Sequence, residues 1–162
     1  MAGIQILSTI HAADAPTTLL RLTDMGIDRF KLAAAAGAVL SLRLARRLCP
    51  DCKVKREASA EEVRLFHEAG VDLPAGATLF APPQTGACAS CRKLGFKGLL
   101  GLHELLLIDD GVRAALLGGA SADTIRAAAL NQGMRRLVQD GLEKVKLGLT
   151  TVAEVLNAIS LV

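Results

Sequence analysis

The chain has 162 residues, a formal net charge of +3 and a hydrophobic fraction of 51%, which suits one domain, or slightly more, with a real core. It contains no Trp or Tyr and only four Phe, so that core must be aliphatic. Aromatic poverty and a mild charge both argue against a nucleic-acid partner. The longest apolar run, residues 32–42, is interrupted by Gly37 and Ser41 and is too short for a membrane span of about 20 residues.

Residues 4–10 are rich in β-branched and apolar side chains, which predicts a buried strand of the kind found inside parallel sheets. Such a strand needs neighbours on both sides, so we expect the chain to be a piece of a longer protein. Asp14 and Pro16 predict a helix that ends at Gly26, with Asp14 as its cap. His11 lies at the carboxyl end of the predicted strand, where α/β sheets bind ligands, and is therefore a candidate ligand-contacting residue.

Asp28 predicts the cap of a long helix, from about Arg29 to Leu48, that leads into the first of two Cys-x-x-Cys pairs. Two thiolates three positions apart can face one ion from a tight turn, and a second pair completes the tetrahedral coordination of Zn²⁺. The two pairs contain all the cysteines of the chain: Cys49 and Cys52, then Cys88 and Cys91.

The free energies favour metal binding by these thiols. Closing the 35-residue loop between the pairs costs roughly 3 kcal/mol, whereas a structural zinc site contributes about 10–16 kcal/mol. Disulfide or redox chemistry is the alternative, but a thioredoxin-like pair would follow a strand and open a helix, and Cys49 follows a predicted helix. A thiolate zinc site without a signal-peptide pattern predicts a reducing, cytoplasmic location.

Residues 49–94 are the predicted zinc-binding insertion. Ser59 and Glu62 predict a capping box for one helix, and Pro and Gly residues mark the rest as loop with a short strand at 78–81. We expect the insertion to be a small excursion rather than a layer of the core. The basic residues around the pairs either offset the negative charge of a tetrathiolate centre or bind an acidic partner. They are Arg43, Arg46, Arg47, Lys53, Lys55, Arg56, Arg92, Lys93 and Lys97.

A second apolar strand is predicted at 99–108, and His103 is expected to be a core histidine within it. Glycines separate the helices predicted after this strand, and Thr151 with Glu154 predicts a capping box for the last one. Apolar residues recur at helical spacing in the last two helices. We therefore expect a compact helical bundle at the C-terminus.

Several segments resemble one known family. Residues 8–16, Ser-Thr-Ile-His-Ala-Ala-Asp-Ala-Pro, are similar to its histidine box, and residues 43–52 look like the helix end that opens its zinc-binding insertion. Residues 101–105, Gly-Leu-His-Glu-Leu, resemble the strand after its second Cys pair. Residues 133–137, 140–142 and 148–151 resemble its C-terminal helices. The family is that of the type II secretion and type IV pilus assembly ATPases, and the resemblance covers essentially the whole chain.

The resemblance implies that the chain is the mostly helical, C-terminal portion of an α/β, RecA-like motor domain. It implies three segments: the end of the RecA-like core at 1–48, the zinc insertion at 49–94, and a strand with the C-terminal helical bundle at 95–162. The full-length protein would be a hexameric ATPase at the cytoplasmic face of the inner membrane, using ATP and Mg²⁺, and the histidine-box-like residues His11 and Asp14 would lie near its nucleotide. Its partners would be its own other subunits and the inner-membrane platform proteins of secretion or pilus assembly.

Two elements of such a motor do not occur in the chain: a phosphate-binding Gly-x-x-x-x-Gly-Lys-Ser/Thr loop, and an apolar strand ending in acidic residues ahead of His11. In the family both precede the histidine box, so we predict that this chain alone is not an active ATPase. Ala12 and Ala13 replace the Thr and Asn of the family's histidine box. Leu42 and Leu99 stand where the family commonly has Gln and Arg.

Two other functions are compatible with the Cys pairs. A stand-alone, zinc-ribbon-like binding or adaptor module would keep the metal site without any motor. A cytoplasmic thiol oxidoreductase would contain a Cys pair that reacts without prior removal of metal.

Overall fold

The computed structural model describes residues 4–86 and 88–160. Within these ranges the chain forms seven α-helices and four strands, and no helix is long and apolar enough to cross a membrane. In chain order the elements are α1 (Ala15–Asp24), α2 (Arg29–Ala35), β1 (Ala38–Leu48), β2 (Val54–Glu57), α3 (Ala60–Glu68), β3 (Thr78–Ala81), a 3₁₀ turn (Ala89–Cys91), β4 (Phe96–Leu107), α4 (Asp110–Leu117), α5 (Ala122–Asn131), α6 (Leu137–Lys146) and α7 (Val152–Ser160).

The helix predicted after Asp14 is confirmed, whereas the strand predicted before it is wrong. Asp14 caps α1 by accepting a hydrogen bond from the Thr17 backbone N–H at 2.8 Å. Residues 4–10 have no regular structure, and the side chains of Ile6 and Leu7 are 80% and 91% exposed. A strand is stable only when a neighbour pairs with its backbone, and neither described sheet includes these residues.

The helix predicted over 29–48 is wrong beyond its first turns. α2 ends at Ala35, and β1 begins after Gly37. Along β1, Ser41 and Ala45 are buried while the leucines between them face solvent, which is the period of two that a strand requires. Pairing with β4 therefore outweighs the local helix propensity of a segment rich in Ala, Leu and Arg.

Each of the two sheets has two strands: β1 pairs with β4, and β2 pairs with β3. Backbone hydrogen bonds join Ile108 N–H to Gly37 O at 2.9 Å and Cys49 N–H to Gly95 O at 3.0 Å, so β1 and β4 run antiparallel. β2 and β3 are also antiparallel, with Val54 opposite Ala81. The strands predicted at 78–81 and 99–108 are confirmed as β3 and β4, whereas β2 was not predicted from the sequence.

Two compact units divide the chain, and the first contains the described residues up to 39 together with 106–134. It comprises α1, α2, α4 and α5 around an aliphatic core that includes Leu19, Leu116 and Ile125. An ion pair also joins α1 to α5, since the Arg126 guanidinium lies 2.7 Å from the Asp14 carboxylate.

The second unit contains residues 40–105 together with the described residues from 135 onward. Its core combines Phe66 and Leu79 of the predicted insertion with Leu142 of α6 and Val155 of α7. The insertion is therefore part of a core and not the small excursion that we expected. The single C-terminal bundle is also wrong, because α4 and α5 belong to the first unit and α6 and α7 to the second. The segment boundaries after residues 48 and 94 stay predictions.

The two predicted capping boxes have different outcomes. At α3 the box is complete: Ser59 Oγ accepts from Glu62 N–H, and the Glu62 carboxylate accepts from Ser59 N–H. At α7 only half forms, because Glu154 N–H donates to Thr151 Oγ1 at 3.3 Å while the Glu154 carboxylate binds an arginine of β1.

The expected core position of His103 is wrong. Its side chain is 50% exposed and its Nδ1 lies 3.2 Å from Lys144 Nζ of α6. The residue alternates with buried neighbours on β4 and therefore points to the opposite side of the strand from the core.

We predict that Gly141→Ala destabilises the second unit. A Cβ at Gly141 would lie 2.4 Å from Cγ1 of Val155, which is fully buried and stiff at χ1. Overpacking of this kind costs about 1–3 kcal/mol, whereas the higher helix propensity of Ala returns at most about 1 kcal/mol. Thermal or urea unfolding should therefore show a lower free energy of unfolding.

Gly111→Ala is the matched control, because it makes the same change within α4 where the nearest atom is only the amide end of the exposed Gln132. It should be neutral or slightly stabilising. Gly141→Ala should also cost less in a Val155→Ala background, which removes the clashing methyl groups. Equal effects of the two glycine substitutions would contradict the close α6–α7 contact.

Candidate metal centre

The two Cys-x-x-Cys pairs lie at the same end of the β1–β4 sheet, where β1 ends and β4 begins. Cys49 directly follows β1, and its backbone N–H donates to the carbonyl of Gly95, the residue before β4. The expectation that Cys49 follows a helix is therefore wrong. It follows a strand, but the chain then forms a turn and β2, so no helix opens at the first pair as a thioredoxin-like site requires.

The second pair is carried by a tight turn with unusual backbone angles. Arg92 and Lys93 have φ values of 52° and 62°, in the left-handed region that non-glycine residues seldom adopt. This conformation lets Lys93 N–H donate to Cys88 O at 3.1 Å and Gly95 N–H donate to the sulfur of Cys91 at 3.3 Å. Gly95 is required there, because its φ is +76° and a Cβ would lie 2.5 Å from Pro82 Cβ.

The turns bring all four sulfur atoms together. The four Sγ atoms all lie within 4.8 Å of one another. Sγ–Sγ distances are 3.7 Å between Cys49 and Cys88, 3.8 Å between Cys52 and Cys91, and 3.8 Å between Cys88 and Cys91. A tetrahedron of thiolates with Zn–S bonds of about 2.3 Å has sulfur atoms about 3.8 Å apart, so the cluster fits a tetrahedral metal ion.

The thiols also need a cation before all of them can ionise. Burial raises the pKa of Cys49. A hydrogen bond from the Cys88 backbone lowers the pKa of Cys52, but burial and the neighbouring thiols outweigh it and raise this pKa to about 12. Burial opposes ionisation of Cys91, yet the Gly95 N–H and the other thiols lower its pKa to about 7. A bound divalent cation would stabilise the remaining thiolates.

Among the nine basic residues near the pairs, Arg46 and Lys53 each combine internal hydrogen bonds with contact to an aromatic ring. The guanidinium of Arg46 donates to both Glu154 carboxylate oxygens, at 2.8 and 2.5 Å, and lies 4.4 Å from the centre of the Phe96 ring. Lys53 Nζ donates to Gly148 O at 2.7 Å and lies 4.4 Å from the centre of the Phe80 ring. These two cations therefore support the fold around the thiols.

Asp14 has a structural partner as well. Burial raises the pKa of its carboxyl, but hydrogen bonds from Thr17 and Arg126 outweigh it and hold the pKa below its usual value. The carboxylate is thus a helix cap and one half of an ion pair. His11 is exposed at the surface. The nucleotide-proximal role of His11 and Asp14 stays a prediction.

Sequence reasoning missed two acidic residues that support the site's scaffold. Glu154 was interpreted only as part of a capping box, but its carboxylate binds Arg46, which lies 108 positions away in the chain. Glu104 is 4% exposed, and its carboxylate accepts a hydrogen bond from the Leu137 N–H at the start of α6. Neither contact leaves a local signal, because each joins residues that are distant in the chain.

Comparisons with known proteins agree with this chain's resemblance to secretion and pilus motors. The chain is 38% identical over 156 residues to the type IV pilus assembly ATPase PilB of Thermus thermophilus, which covers 96% of this chain and 17% of that protein. It is 42% identical over 157 residues to the type II secretion system protein E of Dickeya dadantii, covering 97% and 30% respectively. PilB of Myxococcus xanthus is 36% identical over 157 residues, covering 97% and 27%.

The chain thus spans less than a third of the length of these relatives. A model of the family described as type II/IV secretion system protein matches residues 1–157. The resemblance seen in the histidine-box-like segment, the Cys pairs and the C-terminal segments is therefore confirmed, and the chain belongs to the type II/IV secretion system protein family.

Proposed function

We propose that Cys49, Cys52, Cys88 and Cys91 bind one structural zinc ion. The observation that carries this proposal is the cluster of four sulfur atoms at tetrahedral spacing. Zinc would supply the positive charge that lets the four thiolates lie this close together, without redox chemistry of its own. The protein's part is to hold the two turns side by side through β1 and β4.

We further propose that the chain is the C-terminal part of a RecA-like motor domain in an ATPase for type II secretion or type IV pilus assembly. The names of the relatives and the match over nearly the whole chain support this proposal. The full-length protein would be a hexamer that uses ATP and Mg²⁺ and acts in the cytoplasm at the inner membrane. His11 and Asp14 would lie near its nucleotide, and Asp14 would act indirectly, by capping α1 and holding its first turn in place.

A basic surface beside the thiols is the proposed contact for platform proteins of the inner membrane. It consists of Arg47, Lys55, Arg92 and Lys93, which are exposed and have no ion-pair partner among the described residues. Arg46 and Lys53 are not part of it, because their internal contacts occupy them. An acidic partner would be attracted to this surface by charge complementarity.

The first test is metal content. Purified without added metal, the chain should contain one zinc per molecule, and Cys91→Ser should lose it because one thiolate ligand is removed. At free zinc 1,000-fold above its Kd, the metal should stabilise the fold by about 4 kcal/mol. Elemental analysis and thermal unfolding with and without a chelator measure both effects.

Ser90→Ala is the matched control, since Ser90 lies within the same turn and, among the described residues, its Oγ accepts a hydrogen bond only from Lys97 Nζ. This variant should keep its zinc. A wild-type chain with nearly no zinc, or with its cysteines in disulfides, would refute the metal site.

The second test concerns nucleotide. We predict that the chain alone binds Mg-ATP with a Kd weaker than about 1 mM, or roughly −4 kcal/mol. Holding a triphosphate requires backbone N–H groups at a helix N-terminus, a lysine at the β- and γ-phosphates and a carboxylate-held Mg²⁺. The phosphate-binding loop that supplies the first two does not occur in the 162 residues. Isothermal calorimetry and phosphate release measure this, and micromolar affinity would contradict the proposed place of the chain in the motor.

The third test concerns the basic surface. In the full-length protein, combined Arg47→Glu and Lys93→Glu should weaken binding to the platform proteins about tenfold, with a loss that shrinks as salt is added. Arg21→Glu with Lys31→Glu is the control, because both residues are exposed and belong to the other unit. Pull-down titrations give the affinities. Equal losses in the two double variants would show that only net charge matters and would remove this surface from the proposal.

A further inference from the structure

We propose that metal binding by the first Cys pair and the structure of the α6–α7 turn are coupled, with Lys53 as the positioning residue that joins them. The α6–α7 turn is defined here as residues 147–151, between α6 and α7. This inference rests on the proposed zinc site. It adds that the metal orders the start of α7, and that the turn in turn sets the affinity for metal.

Lys53 belongs to both structures at once. Its backbone N–H donates to Cys49 O at 3.1 Å, which closes the turn of the first Cys pair. Its Nζ donates to Gly148 O at 2.7 Å, and its charge lies over the Phe80 ring. The turn of the first Cys pair therefore fixes the backbone of Lys53, and the ammonium group of Lys53 fixes the end of α6.

Gly148 receives this contact in a conformation that leaves little freedom. Gly148 N–H donates to Val145 O at 2.9 Å and Leu149 N–H to Lys144 O at 3.0 Å, which are the two bonds of a Schellman helix end. Its φ is +65°, and a Cβ would lie 2.5 Å from the Phe80 ring. The Lys53 ammonium at this end also complements the negative pole of the helix dipole.

The turn also holds the strand that leads into the first Cys pair. Leu48 N–H donates to Leu149 O at 2.8 Å, and Thr150 Oγ1, on a fully buried residue, donates to Arg46 O at 2.8 Å. The α6–α7 turn therefore contacts the chain immediately before Cys49 and, through Lys53, immediately after Cys52. Displacement of the turn would move both ends of the first pair of thiols.

The coupling works in both directions. A metal ion that fixes the first Cys pair fixes Lys53 and Leu48, and so stabilises the α6–α7 turn and the first residues of α7. By linkage, if bound metal favours the ordered turn by a given factor, the ordered turn must raise the affinity for metal by the same factor.

The experiment measures zinc affinity of the whole 162-residue chain by competition with a chromophoric chelator. Lys53→Met keeps an unbranched side chain over Phe80 but removes the donor to Gly148, and should weaken zinc binding about tenfold, the lower end of the range for outer-shell substitutions. Lys55→Met is the control, because it removes the same charge only two positions along the chain. The Lys55 side chain is exposed and has no described partner. It should bind zinc like the wild type.

Gly148→Ala tests the turn from its other side. The substitution forces a Cβ against Phe80 in a left-handed conformation and should also weaken zinc binding. Gly76→Ala is its control, since Gly76 has a similar φ of +75° but its nearest foreign atom is at 3.6 Å. It carries the same backbone strain without the contact and should keep the affinity.

Hydrogen exchange on the wild-type chain gives a readout that does not depend on any variant. Added zinc should slow exchange at the amides of Gly148, Leu149 and Val155, and leave those of α5 in the other unit unchanged. A wild-type chain that binds no zinc overturns the proposed metal site and this coupling with it. Zinc binding with unchanged affinity in both variants, and protection confined to the Cys turns, overturns the coupling alone.

Discussion

The antiparallel pairing of β1 with β4 is the constraint on which the metal centre depends. It places the end of β1 beside the start of β4, so the two Cys turns meet although 35 residues separate them in the chain. The hydrogen bond from Cys49 N–H to Gly95 O is the last link of this pairing. Ala45 and Leu102 anchor the two strands in the core that α6 and α7 share. The geometry of the thiols is thus decided by a sheet, and each Cys-x-x-Cys turn needs to supply only its own two sulfur atoms.

Charge near the thiols has several distinct uses that composition cannot separate. Arg46 and Lys53 are bound to acidic or carbonyl oxygens and to aromatic faces, and they attach α7 and the end of α6 to the chain around Cys49. Arg56 pairs with Glu62 and so supports the capping box of α3. Only the residues that remain exposed without such partners are available to an external acidic surface. This division explains why an arginine or lysine beside a metal-binding pair is not by itself evidence for a partner.

The helices of the chain belong to two separate cores, each closed by contacts between distant segments. In the first unit, Arg126 of α5 reaches Asp14 at the start of α1 across 112 positions. In the second, Glu104 of β4 accepts from the first N–H of α6, and the carboxylate of Glu154 binds Arg46 of β1. Asp14 thus serves twice, as the cap of α1 and as its attachment to α5, whereas Glu104 and Glu154 each attach a helix to a strand. In this member of the secretion-motor family, α4 and α5 therefore belong to the same unit as His11, and α6 and α7 belong to the same unit as the thiols.

The sequence by itself determined the features that depend on near neighbours. Helix caps at Asp14 and Ser59, the strands at 78–81 and 99–108, and the two Cys-x-x-Cys pairs could all be read from local patterns, and short motifs in order carried the family resemblance. Tertiary structure decided the features that depend on distant partners. It made residues 38–48 a strand, left 4–10 without regular structure, divided the expected bundle and took Glu154 away from its capping box. The physical reason is that a strand obtains its hydrogen bonds, and a buried charge its counter-charge, from residues far along the chain, so no local pattern contains the information.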